Sequence, residues 1–380
     1  MILFIAPYDG RAPEKSPFIA AAKKMQFLLG VLKSIDSNLI LLNSFPQDDL
    51  IIGDRLDTIE IGNGNTIERF TPSIKRLNWI GRLKLLLDEE SIIERLVAQY
   101  GVPDLVWLYN GYAFESRAAR ILKKKYKAKV ILEFEDWHFA RSRGFNPKPF
   151  IDWYFWRKSL SFLDYGFAVN EFLLHKFNEN GLPGNLLPGT ISSGISALRE
   201  LNPPFTCKEK IRVGYFGGLS REKGVGFLLD LMPITANHVT FVVTGSGDLA
   251  DELSKFKDTF PGKLEFFGSV NDNQLQNAVG SVDLIVNAHE LNDGIFPFKV
   301  LESIASGRLL VSTYLNIDSY EWLKDTIEFR KLAVEDFANA IHQSHDIYKI
   351  KSSAIANAAK IAEQLFSREA VKTKIMNFNR

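Results

Sequence analysis

Short apolar runs alternate with segments of helical periodicity along almost the whole chain, and this alternation restricts the fold more than any other feature. Strands are predicted over 1–6, 38–43, 51–61 (with turns), 104–109, 129–134, 165–169, 211–216, 239–244, 264–267, 284–286 and 309–311, and a weaker strand–helix unit over 314–331. Helical patterns separate most of these runs. Strands that alternate with helices in this way indicate βαβ units and parallel sheets. We therefore expect an α/β fold.

One stretch interrupts the alternation and divides the chain. Residues 189–210 are rich in Pro and Gly and show little periodicity, so we expect an interdomain linker there. This predicts an N-terminal domain over 1–188, a C-terminal domain over 211–365 and a last helix over 366–380. Two α/β domains of this kind hold ligands in a cleft at the carboxyl ends of their strands.

Composition excludes several classes of protein. The 380 residues include 46 Lys and Arg against 45 Asp and Glu, so no strong basic field favours nucleic acid. A single cysteine, Cys207, cannot form an intramolecular disulfide or a cysteine metal cluster, which favours a reducing, cytoplasmic location. No basic segment precedes the apolar run at the N-terminus, so we interpret that run as a strand and not as a signal peptide. No apolar run approaches the roughly 18–20 residues that a membrane-spanning helix needs.

The stretch 282–313 carries the first candidate site. It is predicted to be a strand, a polar loop, a helix that Pro297 opens and Gly307 ends, and a second strand. Lys299 and Glu302 share one helical face near the positive end of the helix dipole, where phosphate is favoured. A cation for phosphate and a carboxylate for vicinal hydroxyls predict a nucleotide-sugar site. An exposed helical ion pair is the alternative.

A glycine-rich turn after the strand 211–216 carries the second candidate. Its sequence, GGLSREKG over 217–224, opens onto a helix and ends with Lys223 and Gly224. Backbone N–H groups at such a turn bind phosphate, and a lysine adds positive charge. The spacing matches neither a Walker motif nor a dinucleotide fingerprint, and a surface turn with an exposed lysine is the alternative. A similar turn, GSG over 245–247, follows the next strand.

These segments, taken in order, resemble a known family. FGGLSREKG, VVTGSG and PFKVLESIASG resemble the nucleotide-binding half of family 4 (group 1) glycosyltransferases of surface polysaccharide synthesis, which have the GT-B architecture. The resemblance covers about 200–320. It implies two Rossmann-like domains facing a central cleft and a C-terminal helix that crosses back to the N-terminal domain.

The resemblance also implies roles for single residues. Lys223 would contact the donor diphosphate, Glu302 would accept hydrogen bonds from the ribose, and Lys299 would support the nucleotide. The full set expected to bind the donor is Gly217, Gly218, Arg221, Lys223, Gly245, Gly294, Phe296, Lys299 and Glu302. The donor, a UDP- or GDP-linked sugar, is a substrate, and no further cofactor is expected. Since the chain has no D-x-D triplet, we expect no essential metal ion.

Two positions depart from the family pattern. Family members usually have arginine where this chain has Gly218, and Arg221 is a candidate to compensate. The usual first carboxylate lies eight residues before the ribose-binding glutamate, which here is Gly294. Asp293 and Glu290 are near but out of register. These departures leave open whether transfer retains or inverts the anomeric configuration.

The N-terminal half of the chain, which is expected to bind the acceptor, has fewer recognisable motifs. Glu135, Asp136 and His138 follow the strand 129–134 and are the expected catalytic residues. Such groups serve a hydroxyl acceptor as a general base or stabilise oxocarbenium charge. The alternative is an acidic loop with an aromatic residue that plugs the core. Asp9, Arg11 and Lys15 form a second candidate loop, where an arginine could bind an acceptor phosphate or simply be solvated.

A basic run over 120–129 and an aromatic helix over 149–162 complete the candidate surfaces. Together they suggest a membrane-facing surface for a lipid-linked acceptor. The alternative is a solvated helix end beside a buried aromatic helix. We therefore expect a cytoplasmic protein with peripheral contact to the inner face of the plasma membrane.

The function expected from the sequence is glycosyl transfer in cell-surface polysaccharide synthesis, such as capsule or O-antigen. A nucleotide sugar would be the donor, and a hydroxyl of a glycan or lipid-linked molecule would be the acceptor. Two alternatives remain open: a non-catalytic subunit of similar fold that binds a glycan or a partner enzyme, and a nucleotide-sugar epimerase.

Overall fold

The chain divides into two units. A computed structural model of the protein describes residues 1–8, 10, 19–44, 53–62, 64–73, 84–137, 139, 147–192, 194–207, 209–289, 298–315, 317–318 and 320–378, with the backbone alone at 19, 20 and 298. The first unit comprises Met1–Pro188 and Lys372–Arg380, and the second comprises Gly189–Val371. The segment expected to be a linker, 189–210, thus belongs to the second unit.

The first unit is built on an eight-stranded sheet. Its strands are β1 Ile2–Ala6, β2 Leu39–Asn43, β3 Arg55–Glu60, β4 Thr66–Thr71, β5 Leu105–Tyr109, β6 Lys129–Phe134, β7 Tyr165–Ala168 and β8 Gly184–Leu186. Their order is β3-β4-β2-β1-β5-β6-β7-β8. All neighbours pair in parallel except β3 and β4, which form an antiparallel pair at one edge.

Helices flank this sheet. They are α1 Ile19–Ile35, α2 Glu89–Tyr100, α3 Ala113–Tyr126, α4 Lys148–Ser159 and α5 Glu171–Asn178, with a 3₁₀ turn at Leu160–Phe162. Every residue of β1, β2 and β5 is buried, as expected for parallel strands covered on both faces.

The second unit has a six-stranded, all-parallel sheet. Its strands are β9 Ile211–Phe216, β10 Val239–Thr244, β11 Leu264–Phe266, β12 Leu284–Asn287, β13 Leu309–Ser312 and β14 Ile327–Phe329, in the order β11-β10-β9-β12-β13-β14. Its helices are α6 Leu198–Leu201, α7 Val225–Ile234, α8 Ala250–Thr259, α9 Asp272–Gly280, α10 Phe298–Ala305, α11 Val334–His342 and α12 Ser344–Phe366, with a 3₁₀ turn at Glu321–Leu323.

The last helix, α13 Arg368–Phe378, begins at the end of the second unit, and from residue 372 it belongs to the first. The Phe378 ring lies 4.7 Å from the ring of Tyr165 on β7. This arrangement and the two parallel sheets confirm the predicted α/β fold. None of the helices in the described ranges is long and apolar enough to cross a membrane.

Candidate functional site

The carboxyl ends of β9 and β12 define the candidate site in the second unit. These two strands are neighbours in the sheet, yet the chain leaves β9 toward β10 on one side and returns to β12 on the other. Such a switch point opens a crevice at the carboxyl ends of the strands, which is where open parallel sheets bind ligands. The glycine-rich turn 217–224 follows β9 at this point.

Two glycines let the turns around the crevice approach each other. Gly224 has φ 83°, and a Cβ there would lie 1.8 Å from the carbonyl oxygen of Ala288. Gly245 has φ 143°, and its Cβ would lie 1.8 Å from the carbonyl oxygen of Gly217. Any side chain at either position would separate the turns that follow β9, β10 and β12.

Tyr215, on the strand that precedes the glycine-rich turn, holds that turn in place through its hydroxyl group. It is a buried residue of β9, and its hydroxyl donates to the carbonyl oxygens of Gly218 at 2.8 Å and Lys223 at 3.0 Å. Burial raises the pKa of Tyr215, so the hydroxyl keeps its proton and remains a donor. This role was not predicted from the sequence, because an aromatic residue in an apolar strand is most simply explained as part of the core.

Lys299 reaches the same place from α10. Its Nζ is inaccessible to solvent and has no hydrogen-bond partner in the described part of the chain. The Nζ lies 4.4 Å from the ring centre of Tyr215, and its Cδ is 3.6 Å from where a Cβ on Gly217 would be. Burial, reinforced by the positive charge of Lys223, lowers the pKa of Lys299 to about 7. Lys299 therefore places a buried amine, with no hydrogen-bond partner among the described residues, beside the glycine-rich turn.

Lys223 supplies a second cation at the turn. Its side chain is exposed, and its Nζ lies 3.2 Å from Nε2 of His289. His289 is buried and lies two residues after the end of β12. The ammonium of Lys223 can donate to this ring nitrogen when the imidazole is neutral. No periodicity or motif in the sequence indicated His289.

Glu302 lies one helical turn after Lys299, but the two side chains are not hydrogen-bonded to each other. Glu302 Oε1 accepts a hydrogen bond of 2.6 Å from the hydroxyl of Ser192 instead. The simple alternative, a helical Lys–Glu pair on a solvated face, is thus not what the structure shows. The carboxylate of Glu302 accepts a hydrogen bond from a hydroxyl group.

The other predicted donor residues divide into two groups. A Cβ on Gly218 would meet the side chain of Lys223 at 3.9 Å as its nearest neighbour, so space is open at the position where arginine is usual. Arg221 is exposed, and its guanidinium lies along the start of α7, near Gly226. Gly294 and Phe296 lie outside the described residues, as do Asp293 and Glu290.

In the first unit, Glu135 forms an ion pair with Lys24, a residue that was not predicted from the sequence to belong to a site. Lys24 of α1 is fully buried and forms ion pairs with Glu135 and, at 2.8 Å, with Glu133. Its Nζ also donates to the carbonyl oxygen of Leu187 at 3.0 Å. Burial raises the pKa of Glu135, and Lys24 opposes that shift. Glu135 therefore belongs to a buried cluster of charged side chains with Lys24 and Glu133.

Asp136 follows at the end of β6 and is half-buried. The backbone N–H groups of Glu135 and Asp136 donate to Oδ1 of Asn110 at 3.2 and 3.4 Å, which fixes the chain as it leaves the sheet. His138 lies outside the described residues. The loop with Asp9, Arg11 and Lys15 also lies outside them.

The basic run is largely paired within the first unit. Lys123 forms an ion pair with Asp164 at 2.5 Å, Lys125 pairs with Glu94, and Lys124 lies 5.1 Å from the ring centre of Phe162. The aromatic helix α4 has both buried and exposed aromatic side chains. Trp156 is buried, whereas Phe150 and Tyr154 are 67% and 46% exposed. Each of the two interpretations thus describes part of this surface.

Comparison with known proteins agrees with this geometry. Residues 210–346 match the family model described as glycosyl transferases group 1. No curated protein matches the sequence. Among solved structures, sucrose-phosphate synthase from Thermosynechococcus elongatus is similar over 100% of this chain and 98% of its own, with a TM-score of 0.68 and 14% identity.

Two further structures have the same fold over their whole length. HepE from Anabaena, in complex with UDP, is 15% identical with a TM-score of 0.63 and covers 99% of this chain and 98% of its own. The lipopolysaccharide outer core galactosyltransferase WaaB is 13% identical with a TM-score of 0.61 and the same coverage of both chains. The chain as a whole thus has the GT-B fold of these solved structures. More particularly, residues 210–346 match the model of the group 1 glycosyl transferases, which confirms the resemblance noted in the sequence.

Proposed function

We propose that this protein is a glycosyltransferase that moves a sugar from a UDP- or GDP-linked donor to a hydroxyl of a glycan or lipid-linked acceptor in the synthesis of a cell-surface polysaccharide, such as capsule or O-antigen. The observation that carries the donor assignment is the Nζ of Lys299, which is inaccessible to solvent, has no hydrogen-bond partner among the described residues, and lies next to the turn that bears Lys223. Buried charge is costly without a counter-charge. A diphosphate would provide that counter-charge.

Each part of the donor has a matching group. The diphosphate would lie between Lys223 and Lys299 against the backbone of the 217–224 turn, because lysine and turn N–H groups are standard phosphate ligands. Glu302, which already accepts from a hydroxyl in this structure, would accept from the ribose. HepE has been solved with UDP and with UDP-glucose, which supports a donor of this class.

On the acceptor side we favour Asp136 among the three residues expected to be catalytic. Glu135 is buried in an ion pair with Lys24. Asp136 also has interactions of its own, but it is half-buried where β6 ends, and its backbone N–H is held by Asn110. A carboxylate held in this way can take a proton from an acceptor hydroxyl or stabilise positive charge on the transferred sugar. His138 remains a candidate for the same work.

A lipid-linked acceptor would require contact with a membrane surface, and α4 is the proposed contact. Its exposed Phe150 and Tyr154 lie on a helix that also carries exposed Arg157 and Lys158. Exposed aromatic rings with nearby cations favour the surface of an anionic bilayer. Flotation with phosphatidylglycerol vesicles and with pure phosphatidylcholine vesicles tests this proposal. Equal recovery with both, unchanged in F150A/Y154A, would contradict it.

The enzymatic assignment is tested with a panel of UDP-, GDP- and ADP-sugars incubated without acceptor, with free nucleotide and product sugar followed. Release of nucleotide and sugar from one donor is the expected result. A product that is only an isomerised nucleotide sugar would identify an epimerase instead. Absence of both binding and turnover across the panel would overturn the proposal in favour of a non-catalytic subunit.

A further inference from the structure

We propose that the donor diphosphate binds together with one proton taken from solvent, and that this proton comes to rest on Nζ of Lys299. The inference rests on the proposed donor site. It adds to that site a charge state: Lys299 is largely an uncharged amine above neutral pH and becomes an ammonium when the diphosphate arrives.

The position of Lys299 carries this inference. Its Nζ is inaccessible and unpartnered among the described residues, so a charge on it loses hydration and gains no hydrogen bond. Such a lysine loses its proton far more readily than one in water, and catalytic lysines are formed in this way. The lowered pKa, about 7, agrees with this reasoning.

Among the charged and titratable neighbours, Lys223 acts in the same direction as burial, and Tyr215, His289 and Glu302 are the other groups nearby. Tyr215 of β9 presents the face of its ring and keeps its proton, because burial raises its pKa. Lys223, on the 217–224 turn, is a second cation and disfavours charge on Lys299. His289, after β12, faces Lys223, and Glu302, on the same helix as Lys299, accepts from Ser192.

A bound diphosphate would favour the charged form of Lys299 over the uncharged form. Two negative charges at the turn would stabilise the ammonium form of Lys299, since an opposite charge within a few ångströms favours ionisation. One proton passes from water or buffer to the amine, and no covalent bond of the donor changes. The protonated lysine would then supply the second cation at a crevice where position 218 has no side chain.

The sign of the pH effect follows from this uptake. Below pH 7 the free protein already carries the proton, so donor affinity changes little with pH. Above pH 7 binding requires proton uptake, so affinity falls by up to about tenfold for each pH unit. The phosphates of a nucleotide sugar are fully ionised throughout this range and do not titrate themselves.

Calorimetric titration with UDP-glucose and GDP-mannose tests the inference. At pH 8 the binding enthalpy is compared in HEPES and Tris, and at pH 6 in MES and Bis-Tris, because these buffer pairs differ in ionisation enthalpy. With a free pKa of about 7 for Lys299, we expect uptake of about 0.9 proton at pH 8 and about 0.1 at pH 6. Phosphate buffer is avoided, since it would compete for the site.

Three variants assign the proton to its residue. Lys299→Arg stays charged, so it should bind without proton uptake at both pH values. Lys299→Met keeps most of the side-chain packing, removes the amine, and should show weaker binding and no uptake. His289→Gln removes a nearby imidazole, whose ordinary pKa also lies near neutral pH, and should leave the uptake of about 0.9 proton intact.

The outcomes separate this inference from the donor site on which it rests. Binding without proton uptake at pH 8 in the unaltered protein overturns the inference and leaves the donor site standing. Uptake that persists in Lys299→Met, or disappears in His289→Gln, also overturns it. Failure of every nucleotide sugar to bind at either pH overturns the donor site itself, and the inference with it.

Discussion

The hydroxyl of Ser192 donates a hydrogen bond of 2.6 Å to Oε1 of Glu302, across 110 positions of sequence. The carboxylate proposed to bind the ribose is thus held by a hydroxyl from the start of the second unit. Ser192 serves here as a protein counterpart of the hydroxyl that a ribose would present.

Glu302→Ala should therefore weaken nucleotide binding more than folding. Loss of a charged hydrogen-bond acceptor costs about 1.5–3 kcal/mol, or roughly 10- to 150-fold in affinity. Equilibrium titration with the nucleoside diphosphate measures the effect. Glu363→Ala is a matched control, because Glu363 also accepts from a serine hydroxyl, that of Ser196, but at an exposed position. Equal affinity in both variants would refute the assignment of Glu302.

Lys223→Ala should impair binding of a nucleoside diphosphate more than binding of the bare nucleoside. The reason is that Lys223 stands at a turn suited to phosphate and has no ion pair in the described part of the chain. A charged hydrogen bond to phosphate is worth about 1.5–3 kcal/mol. Lys324→Ala removes an exposed lysine of the same unit that pairs with Glu321, and should change neither affinity. Equal losses for both ligands in Lys223→Ala would show that Lys223 does not contact phosphate.

Gly224→Ala should destabilise the second unit and disturb the site, whereas Gly262→Ala should do much less. The two glycines have nearly equal φ angles, 83° and 84°, so the backbone cost of alanine is shared. A Cβ at 224 would lie 1.8 Å from the carbonyl oxygen of Ala288, while nothing lies within 4 Å of one at 262. We expect about 1 kcal/mol for Gly262→Ala and at least about twice that for Gly224→Ala, measured by urea unfolding. Similar losses would mean that the close approach of these turns is not needed.

Glu115→Gln should flatten part of the pH dependence of stability. Glu115 is buried in the first turn of α3 and accepts from the hydroxyl of Ser44; burial raises its pKa from 4.5 to about 7. The folded state therefore holds a proton that the unfolded state releases, so the free energy of unfolding falls as pH rises from 4.5 through 7. The shift corresponds to a loss on the order of 3 kcal/mol.

The measurement is the free energy of unfolding in urea at pH 5, 6, 7 and 8. The matched control is Glu171→Gln, since Glu171 occupies the first turn of α5 but is exposed. This control should keep the slope of the unaltered protein. A slope that Glu115→Gln leaves unchanged would show that Glu115 is ionised in the folded protein at neutral pH.

Much of the fold could be predicted from the sequence, because its signals are local. Apolar runs such as 211–216 and 239–244 lie within buried parallel strands, and periodicity reports burial directly. The strands β4 and β8 were missed because their signals are weak. β4 has polar residues at three of its first four positions, and β8 has three residues with none fully buried.

The motifs that suggested a nucleotide site were also local. A glycine-rich turn with Lys223 and a helix with Lys299 and Glu302 can be recognised wherever they occur in a chain. The sequence by itself therefore determined the class of fold, the two sheets and the segments that carry the proposed donor site.

Tertiary structure alone decided which of these side chains are paired. Lys24 meets Glu133 and Glu135 through the packing of α1 on the first sheet, and Ser192 meets Glu302 across a similar separation in sequence. Lys299 lies over Tyr215 and remains without a hydrogen-bond partner among the described residues, although a carboxylate follows one turn later. Periodicity records which face of an element is buried, but the partner on the other side comes from a distant part of the chain. The charge state and availability of each site residue depend on that partner, and therefore only the folded structure fixes them.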